Sequence, residues 1–326
     1  MAPSDEDDDS CLLVVILETH ENLWSALAEE SESPDVGNLS LTTLLQQLLV
    51  FFNTFLALNE ANELVLIAAC GDQSEVLYSS PSLHRESQGP KQAAKTGNAS
   101  EEVLKNLHAL LQEQAARPDG DSARPAVLAG ALSRALCLIH KAQLSDGGSS
   151  RTRKQPRLLC LKGSPDATEQ YISVMNAIFA AQRCEVVIDA CMIGASDSVF
   201  LQQAAHLTNG IYLRPKHKGA LLQYLLTLFC GDAFSRSFLQ LPRPIGVDFR
   251  AACFCHRRAI DLGYVCSVCL SIFCENVTEC STCGTAFSKN VARTPASKRK
   301  DPFAAFVLID DEWTSKSGLS GFQVIV

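Results

Sequence analysis

Two Cys-x-x-Cys pairs, Cys266-Ser-Val-Cys269 and Cys280-Ser-Thr-Cys283, are separated by ten residues. At this spacing two thiolates reach one ion from a tight turn, and the amides of that turn can hydrogen-bond the sulfurs. Two such pairs complete the tetrahedral four-sulfur shell that structural zinc takes. Four thiolates leave no coordination position for water, so the expected site (Cys266, Cys269, Cys280 and Cys283) is structural and not catalytic. Cys253, Cys255 and His256 lie upstream, and Cys274 lies between the pairs. These four leave two readings open: a second, interleaved ion in a RING-like arrangement, or packing around a single site. Phe254, Phe273 and Phe287 are expected to form the core of a module too small to be stable without metal.

Half of the 14 cysteines fall in this cluster. The other seven are scattered, mostly in apolar strands or helices, where Cys acts as a small hydrophobe. The N-terminus carries the acidic run Asp5–Asp9 and no basic segment of the secretory kind, and no apolar run approaches the roughly 20 residues of a membrane span. A soluble, intracellular chain is expected, with no membrane partner and with thiols free or metal-bound instead of paired in disulfides. The composition is globular, at 47% hydrophobic and 20% charged residues. A formal net charge of −8 makes the chain a poor grip for a phosphate backbone, so no direct sequence-specific DNA binding is expected.

Other chemistries lack their residues. No Gly-x-Gly-x-x-Gly follows the first strand, and neither Gly-Lys-Ser/Thr nor Gly-x-Ser-x-Gly occurs at a strand end. His20 and Glu21 are a lone pair on a loop and read as solvated. The expectation is no catalytic and no organic-cofactor-binding residues.

The elements that position these residues follow from periodicity. Apolar runs at 11–18, 63–70, 157–162 and 185–193 read as strands buried on both faces, with shorter strands at 75–79 and 210–213. Helical spacing covers 40–58, 99–116, 126–143, 166–183, 198–208 and 218–229. Strands alternating with helices predict an α/β fold with a doubly wound, mostly parallel sheet, followed by a small C-terminal zinc-binding module. The expected organisation is an acidic flexible N-terminus (1–10), the α/β domain (11–231), a linker (232–249), a C4-type zinc module (250–290) and a tail (291–326) without clear periodicity. Lys298-Arg299-Lys300 in that tail reads either as a nuclear import signal or as a solvated stretch.

The layout resembles a von Willebrand A domain, whose metal-dependent adhesion site begins with Asp-x-Ser-x-Ser after the first strand. Here those positions read Glu18-Thr19-His20-Glu21-Asn22, and Arg124-Pro125 stand where the family places a metal-contacting Thr. A hard cation needs several convergent oxygens, which this pattern does not supply. Asp189 lies inside the strand EVVIDAC and reads as a strand-end residue, not a ligand. More specifically, VLAGALSRALCLIHKA (127–142), YISVMNAIFAAQ (171–182), VVIDAC (186–191), LLQYLL (221–226), CFCHR (253–257) and GYVCSVCLSIFC (263–274) resemble one family. It comprises the smaller von Willebrand A-type subunits of general transcription factor TFIIH, the Tfb-four family, and the resemblance spans about residues 10–290.

That resemblance implies a nuclear, non-enzymatic core subunit acting in RNA polymerase II transcription initiation and nucleotide excision repair. Its implied partners are the larger von Willebrand A/RING-type subunit and other TFIIH core subunits. Loop tips near Glu18–Trp24 and before Ala126 are the expected contact region. Two rival readings are a RING-like ubiquitin-ligase module and a Mg²⁺-dependent adhesion-type A domain.

Overall fold

All eight residues of strand β1 (Cys11–Glu18) are buried, and alternate side chains enter two separate cores. Leu13, Val15 and Leu17 belong to one, and Leu12, Val14 and Ile16 to the other. A strand wetted on neither face has no use for polar residues, which accounts for the uninterrupted run CLLVVIL. In this computed structural model the described residues are 10–19, 40–71, 73–84, 99–115, 127–145, 154–242, 247, 249–250, 253–256, 260–266, 268–269, 271–287 and the backbone of 322–325. The chain divides into two compact units, Met1–Val247 and Asp248–Val326.

In the first unit, β1 pairs in parallel with β2 (Glu63–Cys70) and with β4 (Gln155–Lys162). The sheet continues in parallel through β5 (Val187–Met192) to β6 (Tyr212–Leu213), and β3 (Gln73–Ser79) closes the other edge antiparallel to β2. The order β3-β2-β1-β4-β5-β6 is that of a doubly wound, von Willebrand A-like sheet, as the sequence predicts.

Helices α1 (Leu41–Leu58) and α2 (Ala99–Ala115) cover one face, together with α6 (Leu221–Tyr224), which runs on as a π-helical turn over Leu225–Phe229. Helices α3 (Leu128–Ser145), α4 (Tyr171–Arg183) and α5 (Val199–Leu207) cover the other. Helix α1 starts where the Ser40 hydroxyl accepts from Thr43 N at 3.1 Å. It is long and apolar enough to cross a membrane, but Leu44, Leu45, Leu48, Phe51, Phe52 and Phe55 form a buried stripe on the sheet. Complete burial of side chains such as Phe51 and Phe55 is worth about 1.5–3 kcal/mol each.

Two local outcomes differ from the periodicity. The helix expected from Asp166 begins at Tyr171, after a 3₁₀ turn at Thr168–Gln170, because Asp166 serves a different helix. Its carboxylate accepts from Ser198 Oγ at 2.6 Å and from Phe200 N at 3.1 Å, at the start of α5. Within the stretch expected as linker, Ala233–Phe238 forms helix α7, capped by the Asp232 side chain.

Arg236 of α7 makes a two-pronged bond to Asp189 in β5, Nη1–Oδ1 2.9 Å and Nη2–Oδ2 2.6 Å. Arg157 of β4 donates to the same carboxylate at 3.0 Å, and to the carbonyls of Phe229 at 2.9 Å and Gly231 at 2.6 Å, capping the helical run that ends at Phe229. Ile211 N completes the shell of Asp189 at 2.9 Å. Asp189 is therefore not a strand-end residue: it is fully buried and ties β4, β5, the residue before β6, and α7. Burial pushes its carboxyl up to about 6, while Arg157 and the Ile211 amide pull the other way.

In the second unit, β7 (Gly263–Cys266) pairs antiparallel with β8 (Ile272–Phe273) on one side and with β9 (Phe322–Ile325) on the other. Strand β9 falls in the tail, where periodicity predicts no element. Phe322-Gln-Val-Ile suits a strand, and pairing satisfies the edge amides and carbonyls of β7.

Removing the charge of Asp189 leaves two buried guanidinium groups without a counterion. Asp189→Asn is expected to cost about 3–5 kcal/mol of unfolding free energy in urea denaturation followed by circular dichroism. A loss below about 1 kcal/mol would show that the cluster does not hold this edge of the sheet.

Candidate metal centre

The fold assembles the expected quartet. Sγ atoms of Cys266, Cys269, Cys280 and Cys283 all lie within 4.8 Å of one another. Cys266 and Cys283 are 3.7 Å apart and Cys269 and Cys280 3.5 Å, close to the roughly 3.8 Å edge of a tetrahedron with metal–sulfur bonds of about 2.3 Å. Each pair is presented by a turn. In the first, Cys266 N donates to Ser271 O at 2.9 Å. In the second, Gly284 N returns to Cys280 O at 2.9 Å and Cys280 N donates to Thr285 O at 2.8 Å. Gly284 has φ +71°, a left-handed conformation that lets the chain double back beside Cys283 without a Cβ clash.

Polar neighbours support anionic sulfur at Cys283, whereas at Cys269 the Ser271 hydroxyl is outweighed by burial and by the sulfurs of Cys280 and Cys283, and the thiol is pushed up to about 11. The Ser271 hydroxyl lies 3.1 Å from Cys269 Sγ and the Thr285 hydroxyl 3.0 Å from Cys283 Sγ. Hydrogen bonds from the Thr285 side chain and backbone bring the Cys283 thiol down to about 6. Cys266, Cys280, Phe273 and Phe287 form the buried core, with Phe254 packed against it. The donor set fits a soft or borderline divalent metal held in a closed tetrahedral shell.

The remaining candidates also converge. Ligand atoms of Cys253, Cys255, His256 and Cys274 lie within 4.8 Å of one another, as a group separate from the quartet. Beside the Cys255 sulfur, the Cys274 thiol is pushed up to about 11, because crowded sulfurs disfavour a second negative charge.

At the C-terminal edge of the parallel sheet, the carboxylate of Glu18 is buried and spent. It accepts from Gly163 N at 2.8 Å, from Ser164 N at 3.0 Å and from the Ser164 hydroxyl. Beside it the Lys162 ammonium contacts the carbonyls of Ser164 and Pro165 and, at 3.1 Å, the Asp166 carboxylate. The backbones of this loop and the next are packed so closely that a Cβ on Gly194 would meet Gly163 O at 1.9 Å.

Thr19 is fully buried, while His20, Glu21, Asn22, Arg124 and Pro125 lie outside the described residues. A fixed ammonium next to an already bonded carboxylate is a poor place for a divalent cation. Sequence reasoning missed Lys162, Ser164, Asp166 and Ser198. The one available signal was a lysine closing the otherwise apolar strand RLLCLK. A cavity of about 620 Å³ lies at the opposite edge, lined in part by Gln155, Arg157, Gly210 and Arg236, but its arginines are engaged with Asp189.

The family model for transcription factor Tfb4 matches residues 10–284. General transcription and DNA repair factor IIH subunit TFB4 of Arabidopsis thaliana is 42% identical over 313 residues, covering 93% of this chain and 98% of its own length. General transcription factor IIH subunit 3 of Dictyostelium discoideum is 38% identical over 264 residues, covering 78% and 70% respectively. The crystal structure of the TFIIH p34 N-terminal domain matches with a TM-score of 0.55 at 26% identity, covering 68% of this chain and 99% of that one. With the match extending through both the parallel sheet and the cysteine quartet, this chain belongs to the Tfb4 family of transcription factors.

Proposed function

We propose that this chain is a non-catalytic structural subunit of the TFIIH core complex, working in the nucleus in RNA polymerase II transcription initiation and nucleotide excision repair. In this reading it assembles by binding the larger von Willebrand A/RING-type subunit, and its Cys266, Cys269, Cys280 and Cys283 hold zinc. Family membership supplies the setting. The observation that carries the non-catalytic role is Glu18, the one carboxylate kept from the adhesion-site pattern. The loop after β4 occupies three of its roughly four acceptor positions, two at Oε2 and one at Oε1, so the carboxylate is already committed to holding that loop.

The loop after β4 and the start of α5, held by Glu18, Lys162 and Asp166, then offer a fixed platform for a protein. The acidic net charge supports protein contacts over direct grip on DNA. A closed four-sulfur shell supports a zinc that stabilises the second unit and takes no part in a reaction.

A tagged full-length chain purified from nuclear extract is expected to bring down the TFIIH core subunits and to co-elute with the purified zinc-binding domain of the larger subunit. Failure of that domain to co-elute would remove the specific partner, and loss of all core subunits would remove the assembly role. Saturating Mg²⁺ is expected to leave the urea midpoint unchanged. An adhesion-type site at 100-fold excess over its dissociation constant would add about 2.7 kcal/mol. With a conjugating enzyme present, no ubiquitin chains are expected, whereas a ubiquitin ligase would form them.

A further inference from the structure

The second convergent group has the chemistry and the placement of a metal site of its own. Cys255 Sγ lies 3.4 Å from Cys274 Sγ, too far for a disulfide of about 2.05 Å and slightly inside the tetrahedral edge around zinc. His256 Nδ1 lies 3.0 Å from Cys274 Sγ, and Cys253 brings a third sulfur that is 1% exposed. Three sulfurs and one imidazole nitrogen form a set that structural zinc takes as readily as four sulfurs.

The chain holds this set in place. Phe254 N donates to Ile272 O at 2.7 Å, tying the Cys253–His256 turn to β8, and the Phe254 ring packs 6.4 Å from Phe273.

One ion cannot serve both groups. Tyr264 pairs with Phe273, so Cys274, the next residue after β8, lies opposite Gly263 at the start of β7. Cys266 closes the other end of that strand, three residues and roughly 10 Å away at about 3.3 Å per residue. Two sulfurs on one zinc are never more than about 4.6 Å apart. The order along the chain is Cys253, Cys255 and His256 for one group, Cys266 and Cys269 for the other, Cys274 for the first again, and Cys280 and Cys283 for the second.

We propose that Cys253, Cys255, His256 and Cys274 bind a second zinc ion, interleaved with the first, so that the two ions pin opposite ends of the β7–β8 hairpin. The proposal rests on the reading of the four-cysteine group as a zinc site. Two of the four residues of this group, Cys255 and His256, are exposed, against Cys283 alone in the first group, where Cys266 and Cys280 are buried. The second ion is therefore the one that a competing chelator reaches first.

The decisive measurement is zinc per chain, by elemental analysis and native mass spectrometry of the full-length protein. Two ions are expected, with a chelator releasing one well before the other. One ion in the unaltered chain would overturn this proposal and leave the four-cysteine site standing, and none would overturn both. The site is located by His256→Cys, which keeps a complete ligand set and should keep two ions. In the cobalt-loaded protein this variant should shift part of the visible absorption to lower energy, as one nitrogen ligand becomes sulfur. An unchanged cobalt spectrum would place the second ion elsewhere and overturn the assignment. Cys255→Ser with Cys274→Ser should bring the count to one; a count still at two would equally overturn it.

Discussion

A carboxylate inside a protein must be compensated by nearby donors, and that requirement organises both edges of the parallel sheet. Asp189 collects two guanidinium groups and an amide on one side, and Glu18 collects two amides and a hydroxyl on the other. Leaving either unpaired would cost several kcal/mol, a large share of the roughly 5–15 kcal/mol by which a domain is stable. The loop after β4 and the start of α5 are thus fixed by Glu18 and Asp166. Glu18 and Asp166 are used up as architecture, and Lys162 adds a positive charge where a metal would otherwise be sought.

The second unit faces a different constraint. Among the described residues its apolar cluster is four buried residues with a few partly buried neighbours, and two of the four are cysteines. Such a core cannot by itself offset the ordering of its chain. Metal–sulfur bonds at the convergent Cys266, Cys269, Cys280 and Cys283 would supply what burial cannot, and would also fix the turns that carry them. Strand β9, drawn from the far end of the chain, completes the small sheet around β7. On the proposed zinc reading, stability in this unit is coupled to metal supply, whereas the parallel-sheet unit depends on burial and on two compensated carboxylates.

Much of this was legible in the residues. Continuous apolar runs marked β1, β2, β4 and β5 because strands covered on both faces carry no polar alternation. The spacing of Cys266, Cys269, Cys280 and Cys283 predicted their convergence, since each pair is brought together by a turn of its own. Less legible were contacts between residues far apart in sequence. Arg236 looked like part of a linker, and nothing local tells that it reaches Asp189, 47 positions away. Asp166 looked like the start of its own helix and instead caps another.

The sequence alone determined the alternation of strands and helices, the degenerate adhesion-site pattern and the convergence of four cysteines, because each is written in periodicity or short spacing. The tertiary structure decided what the ionisable groups do. It set Glu18 against the loop after β4, placed one buried aspartate between two arginines, and brought Cys274 back to Cys253, Cys255 and His256. Those outcomes depend on sheet order and strand register, which bring together residues that no local pattern connects.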